Sequence, residues 1–163
     1  MTILGICEWL QALPWASGIK ESSWQFPVIE SIHSLAISVM IWPAALVDLR
    51  LLGLTMRGRK VSAVTGQFLP WVWIGFTVMI MSGTLLFAAE AVKCYKSPFF
   101  RIKLILIAVA GLNALLFHKT VFGEHAASWD TDWRLPGRAR FAGACSLLVW
   151  IGVIAMGRGL AYA

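Results

Sequence analysis

The stretch from Phe26 to Leu54, FPVIESIHSLAISVMIWPAALVDLRLLGL, constrains this chain more than any other. Its middle is apolar, and it is long enough to cross a bilayer, which takes about 20 mostly apolar residues. The same stretch carries Glu30, His33, Asp48 and Arg50. A membrane helix keeps such groups where they face protein, a cavity or the polar interface. His33 and Asp48 are fifteen residues apart, about four helical turns, which places them near opposite ends of one helix on nearly the same face.

Composition fits the same solvent. The chain is 59% hydrophobic and 13% charged, whereas a soluble domain carries roughly 25% charged residues. Its 163 residues suit a single transmembrane domain over 1–163. The net charge of +6 invites a nucleic-acid partner, but the basic residues lie in short clusters between apolar runs, where they act as topology signals. Nucleic acid is therefore not expected as a partner; membrane lipid is. Cys7, Cys94 and Cys145 have no C-x-x-C spacing and no nearby histidine, so no zinc signature exists, and Cys145 reads as a small packing residue. A cleavable signal peptide is not expected, because a basic n-region is missing and Glu8 interrupts the early apolar stretch.

Read in order, residues 3–13 place Ile3, Ile6, Cys7, Leu10 and Leu13 at helical spacing, predicting a short amphipathic helix ended by Pro14. Ser17 to Ser23 read as a polar turn, with Trp15 and Trp24 as interfacial anchors. Spans are predicted over about 26–52, 68–91, 99–121 and 139–160, with Pro43 inside the first. Ala110-x-x-x-Ala114, Ala139-x-x-x-Gly143 and Ala155-x-x-x-Gly159 are spacings that let helix backbones approach. The predicted fold is an all-α integral membrane four-helix bundle with a short N-terminal amphipathic helix.

Candidate chemistry centres on the histidines. His33 lies about two turns inside the first span, and Glu30 shares its face one turn earlier. The plain reading is a neutral imidazole bonded to a neighbouring helix. The sharper one is an axial ligand to haem iron, with Glu30 orienting the ring from behind. His118 ends the third span, with Gly111 and Ala114 on its stripe leaving room either for a flat macrocycle or for helix packing. His125 falls in a polar loop. His33 and His118 belong to opposite leaflets, roughly 15–20 Å apart by helical rise, so one haem is not held by both within a chain. Three arrangements remain: two haems, one haem shared between symmetry-related His33 residues, or His33 paired with a methionine such as Met79, Met81 or Met156. Asp48 and Arg50 cannot face each other at i,i+2; Arg138 or Arg140 is a candidate partner for the acid, the loops for the base. Glu90 lies near Lys93, Asn113 suits a bond across helices, and Arg158 suits Glu30, Glu90 or a haem propionate.

Several motifs together mark a resemblance: W-x-x-P-x-I-E-x-x-H at Trp24 to His33, D-L-R-L-L-G at Asp48 to Gly53, L-P-W at 69–71, L-L-F-A-A-E-A ending at Ala91, R-I-K-L at 101–104, G-L-N-A at 111–114, F-H at 117–118 and the terminal G-R. Over most of its length the chain resembles an uncharacterised family of small bacterial inner-membrane proteins, classed as a domain of unknown function. The resemblance implies four spans and supplies no activity. The plan of a small bundle with an intramembrane histidine is similar to that of membrane b-type cytochromes, an architectural analogy.

The leading expectation is a multi-pass protein of the bacterial inner membrane that binds haem b and transfers electrons, with quinone or a redox protein as partner. It would work as a homo-oligomer or as a subunit of a membrane complex. A non-catalytic anchoring subunit and a metal or small-solute transport component are the alternatives. No nucleophile–base pairing, phosphate loop or H-E-x-x-H is present, which argues against hydrolytic chemistry.

Counting Lys and Arg, the loops after the first and third spans hold eight and the opposite side six, which predicts periplasmic termini. Alkaline phosphatase fused after Ala163 should be active; activity only from a cytoplasmic reporter at that position would invert the topology.

Overall fold

The computed structural model describes residues 2–122, 130 and 135–162. It is all-helical among these residues. Helix α1 covers Ile3–Gln11, α2 Pro14–Glu21, α3 Gln25–Leu51, α4 Val61–Ala89, α5 Ala91–Lys96, α6 Pro98–Leu116 and α7 Gly137–Tyr162. A π-helical turn, Phe117–Phe122, extends α6. Four of these helices, α3, α4, α6 with its extension and α7, are long and apolar enough to span a membrane. Four crossings bring both ends of the chain to the same side.

Three local expectations change. Pro14 does not merely stop α1; it opens α2 at the first helical position, where its missing N–H costs nothing. Residues 17–21, read as turn, are therefore helical. The link after Ala91 folds into α5. Helix α4 begins seven residues before Phe68, at Val61, because a distant residue caps it. Asp130 accepts from the Ser62 amide (2.7 Å) and hydroxyl (2.6 Å), and its own carbonyl accepts from the Val61 amide (3.0 Å). A carboxylate there satisfies orphan amides and meets the positive end of the helix dipole. Helix α3 ends as the sequence around Gly53 dictates. Gly53 takes φ 72°, the Gly53 amide donates to Arg50 and the Leu54 amide to Leu49, the paired bonds of a Schellman cap.

The helices meet where side chains are missing. A Cβ on Gly75 would lie 2.7 Å from the Met40 nitrogen and 2.9 Å from the Ala36 oxygen, and one on Gly143 would lie 2.9 Å from the Asp48 oxygen and 3.0 Å from the Leu51 Cβ. Gly152 packs against Leu106, and Gly159 against Phe99. Of the small-residue spacings, Ala139 and Gly143 are both buried, whereas Ala114 and Ala155 are exposed. The packing pairs are α3 with α4, α3 with α7 and α6 with α7. Helix α1 rests on α5, tied by the Val92 amide donating to Gln11 Oε1.

Replacing Gly143 with Leu should force α7 off α3, an overpacking cost of about 1–3 kcal/mol or more. Thermal unfolding in detergent reads it, and an unchanged midpoint would show that this face tolerates bulk. Asp130 gives a second test. Burial works against its charge, but the Ser62 hydroxyl and amide, then Lys60 and Arg50, hold its pKa below the ordinary carboxylate value. A folded-state pKa below the unfolded one adds stability above the unfolded pKa that is lost as pH falls through the folded pKa. Asp130→Ala should destabilise at neutral pH by about 0.5–2 kcal/mol, with the gap to wild type closing in acid; a gap independent of pH would exclude the charged cap.

Candidate functional site

His33 stands two turns into α3 and half-buried, where α3 crosses the C-terminal half of α4. Its Nδ1 lies 3.0 Å from Ser82 Oγ. The Ser82 hydroxyl has one proton, and the Val78 carbonyl lies 2.7 Å from its oxygen. With the proton placed there, Ser82 accepts from the ring and Nδ1 carries the imidazole proton, the tautomer that leaves the lone pair on Nε2. The Met79 carbonyl also faces the imidazole. Gly83 makes room for the ring, since a Cβ there would sit 3.1 Å from His33 Cε1.

The other two spanning helices reach the same level. Lys103 of α6 acts electrostatically on His33, and its Nζ would lie 3.6 Å from a Cβ on Gly157 of α7. One imidazole, one hydroxyl, one ammonium and two glycines thus come from four helices. Phe87 of α4 and Phe100 of α6 stack at 5.4 Å, closing the helix ends beyond this level.

Glu30, expected behind the imidazole, is exposed; the ring's hydrogen-bond partner is Ser82 on the neighbouring helix. Arg158 is exposed and turns to Tyr162, 3.5 Å from its hydroxyl and 5.9 Å from its ring centre. His118 is exposed at the far end of α6, its ring 6.3 Å from that of Phe117. Gly111 is exposed too, and a Cβ there meets nothing within 4 Å. His33 and His118 therefore occupy opposite ends of the bundle, as their positions in the sequence imply. His125 lies outside the described residues. Met79 is committed to a core cluster with Ala36 and Met40. Asn113 does bond across helices, donating to the Ala142 carbonyl at 3.0 Å.

Lys103 and Ser82 were not singled out from sequence. Lys103 reads as a loop charge, although its place five residues after Pro98 already puts it inside the span. Ser82 needs the α3–α4 register to be seen. No group of three or more histidine, cysteine or acidic residues that could hold a metal ion occurs among the described residues. Cys7 and Cys94 are buried on α1 and α5. Burial and then Glu90 push the Cys94 thiol up to about 11, which keeps it a protonated packing group at neutral pH.

The fold and these placements define a small all-α membrane protein with four spans and a polar set between them. Residues 24–163 match a family of unknown function (DUF6644), and the chain belongs to it. No curated protein and no solved structure matches the chain.

Proposed function

We propose that this protein binds haem b through His33 Nε2 and transfers electrons within the bacterial inner membrane, its termini on the periplasmic side. The observation that supports this most is the 3.0 Å contact between His33 Nδ1 and Ser82 Oγ. Ligating histidines ordinarily donate the other ring N–H to a protein acceptor, which orients the ring and raises its basicity. Ser82 is placed to be that acceptor, and in the tautomer protonated at Nδ1 the Nε2 lone pair would serve a ligand.

The donor set fits one axial position. His33 would hold iron through Nε2, Gly83 lets the imidazole lie close against α4, and Lys103 supplies a positive charge suited to a propionate. Bound haem supplies one-electron redox chemistry. The chain's own part is to fix the ring, set the local charge and exclude water. His118 lies at the opposite end of the bundle and Met79 is packed with Ala36 and Met40, so His33 of a second copy would hold the iron from the other side, making the working unit a homodimer with quinone or a redox protein as electron partner.

A second reading has its own support. Only 6% of the residues in the apolar stretch of α6 are buried within the chain, which suits an anchoring subunit covered by another protein, with His33 and Ser82 as a structural pair.

Haem-sufficient expression and purification decide between them. The expected result is a Soret band with one haem per two chains, abolished in His33→Ala and retained in His118→Ala. Ser82→Ala should weaken haem retention by about 10–100-fold. Haem lost in His118→Ala and kept in His33→Ala would move the site to the other end, and no haem in wild type would leave the anchoring role.

A further inference from the structure

Polar atoms that the His33 site does not use gather at the opposite end of the α3–α4 pair. Asp48 is 7% exposed and Thr65 8%. Asp48 Oδ2 and Thr65 Oγ1 are both buried with no hydrogen-bond partner. Buried unsatisfied oxygens are rare and cost free energy, so each calls for an explanation.

The register of the two helices relates these atoms. His33 meets Ser82, and Met40 meets Gly75, so seven residues forward on α3 correspond to seven back on α4. Eight residues further, at Asp48, α4 has come back to Gln67, half a turn from Thr65. Gln67 is exposed, and Thr65 belongs to the inward stripe of α4 with Val61 and Val64. Helix α7 supplies a third wall. Gly143 lets the Asp48 backbone approach, and Ser146, three residues on, turns its hydroxyl to the Asp48 carboxyl. Arg50 is two residues on and turns away from Asp48. Its Nε donates to the Arg59 carbonyl at 2.9 Å, and its charge acts on Asp130. No charged group from α4 or α7 acts on Asp48 among the described residues.

We propose that Asp48, Thr65 and Ser146 form a buried site for a small monovalent cation, a proton or Na⁺, at the end of the bundle away from His33. The donors are one carboxylate and two hydroxyls. All are oxygens, the ligands of hard ions rather than of soft metals. A single carboxylate neutralises one positive charge. A divalent ion would leave surplus charge in apolar surroundings, where it is costly. The site is independent of haem, since none of its residues belongs to the His33 set.

The test is modification by dicyclohexylcarbodiimide, an apolar reagent that attacks protonated carboxyls, read by peptide mass spectrometry on the full chain in detergent. Asp48 should be modified in Na⁺-free buffer. Protection by NaCl but not by choline chloride at equal ionic strength identifies Na⁺; modification indifferent to NaCl but slowed by raising the pH identifies the proton. Thr65→Val and Ser146→Ala keep the carboxyl and should each move the midpoint in Na⁺ or pH by about tenfold. Asp48 left unmodified at every pH in cooperatively folded protein, or a midpoint unmoved in both hydroxyl variants, overturns the proposal.

Discussion

The bare backbone at Gly75 sets everything else in register. A Cβ there would fall within 3 Å of both the Met40 nitrogen and the Ala36 oxygen, so α3 and α4 touch as main chain against main chain. In lipid no hydrophobic force pulls apolar helices together, and close packing has to supply the association. Once Gly75 is locked against Met40, His33 falls opposite Ser82 and Asp48 falls level with Thr65. Gly143 repeats the device between α7 and α3, and in doing so carries Ser146 to the Asp48 carboxyl. The two polar sites are thus consequences of two contacts that contain no polar side chain.

The disposal of hydroxyl groups separates background from function. Ser31, Ser38, Thr77 and Thr84 each donate to a carbonyl one turn back in their own helix. That local bond satisfies a hydroxyl in lipid without any partner helix. Ser82 does the same with Val78 and additionally receives His33. Thr65 does neither. Its buried, unpartnered oxygen departs from that pattern, as does Ser97 Oγ outside the spans, and it sits level with a further such oxygen, Asp48 Oδ2.

Much of this fold is legible in the sequence, because a spanning helix announces itself by length and apolarity alone. Phe26, Leu52, Phe99 and Leu160 fall within two residues of the corresponding helix ends. The early start of α4 is not legible, since Asp130 caps it from 68 residues away. Helix α2 was hidden by its Ser and Gly, which favour turns unless a proline pre-sets the first helical position. At the candidate site, His33 is legible as an ionisable group inside a span. Its partner is not: Glu30 is the neighbour along the helix, whereas Ser82 is 49 residues distant and becomes a neighbour through the Gly75 contact.

The packing of the spans bears on how His33 would reach a ligand larger than water. Helices pack in the order α4, α3, α7, α6, with α4 and α6 at the two ends of that order rather than against each other along their length. Phe87 on Phe100 joins them near one tip. His33 of α3 is half-buried, and Lys103 of α6 acts on it electrostatically. The ring is held at Nδ1 by Ser82, and only 6% of the residues in the apolar stretch of α6 are buried within the chain. Holding a ring through Nδ1 short of full burial suits ligation better than packing, because a purely structural histidine gains most when both nitrogens are satisfied within the protein.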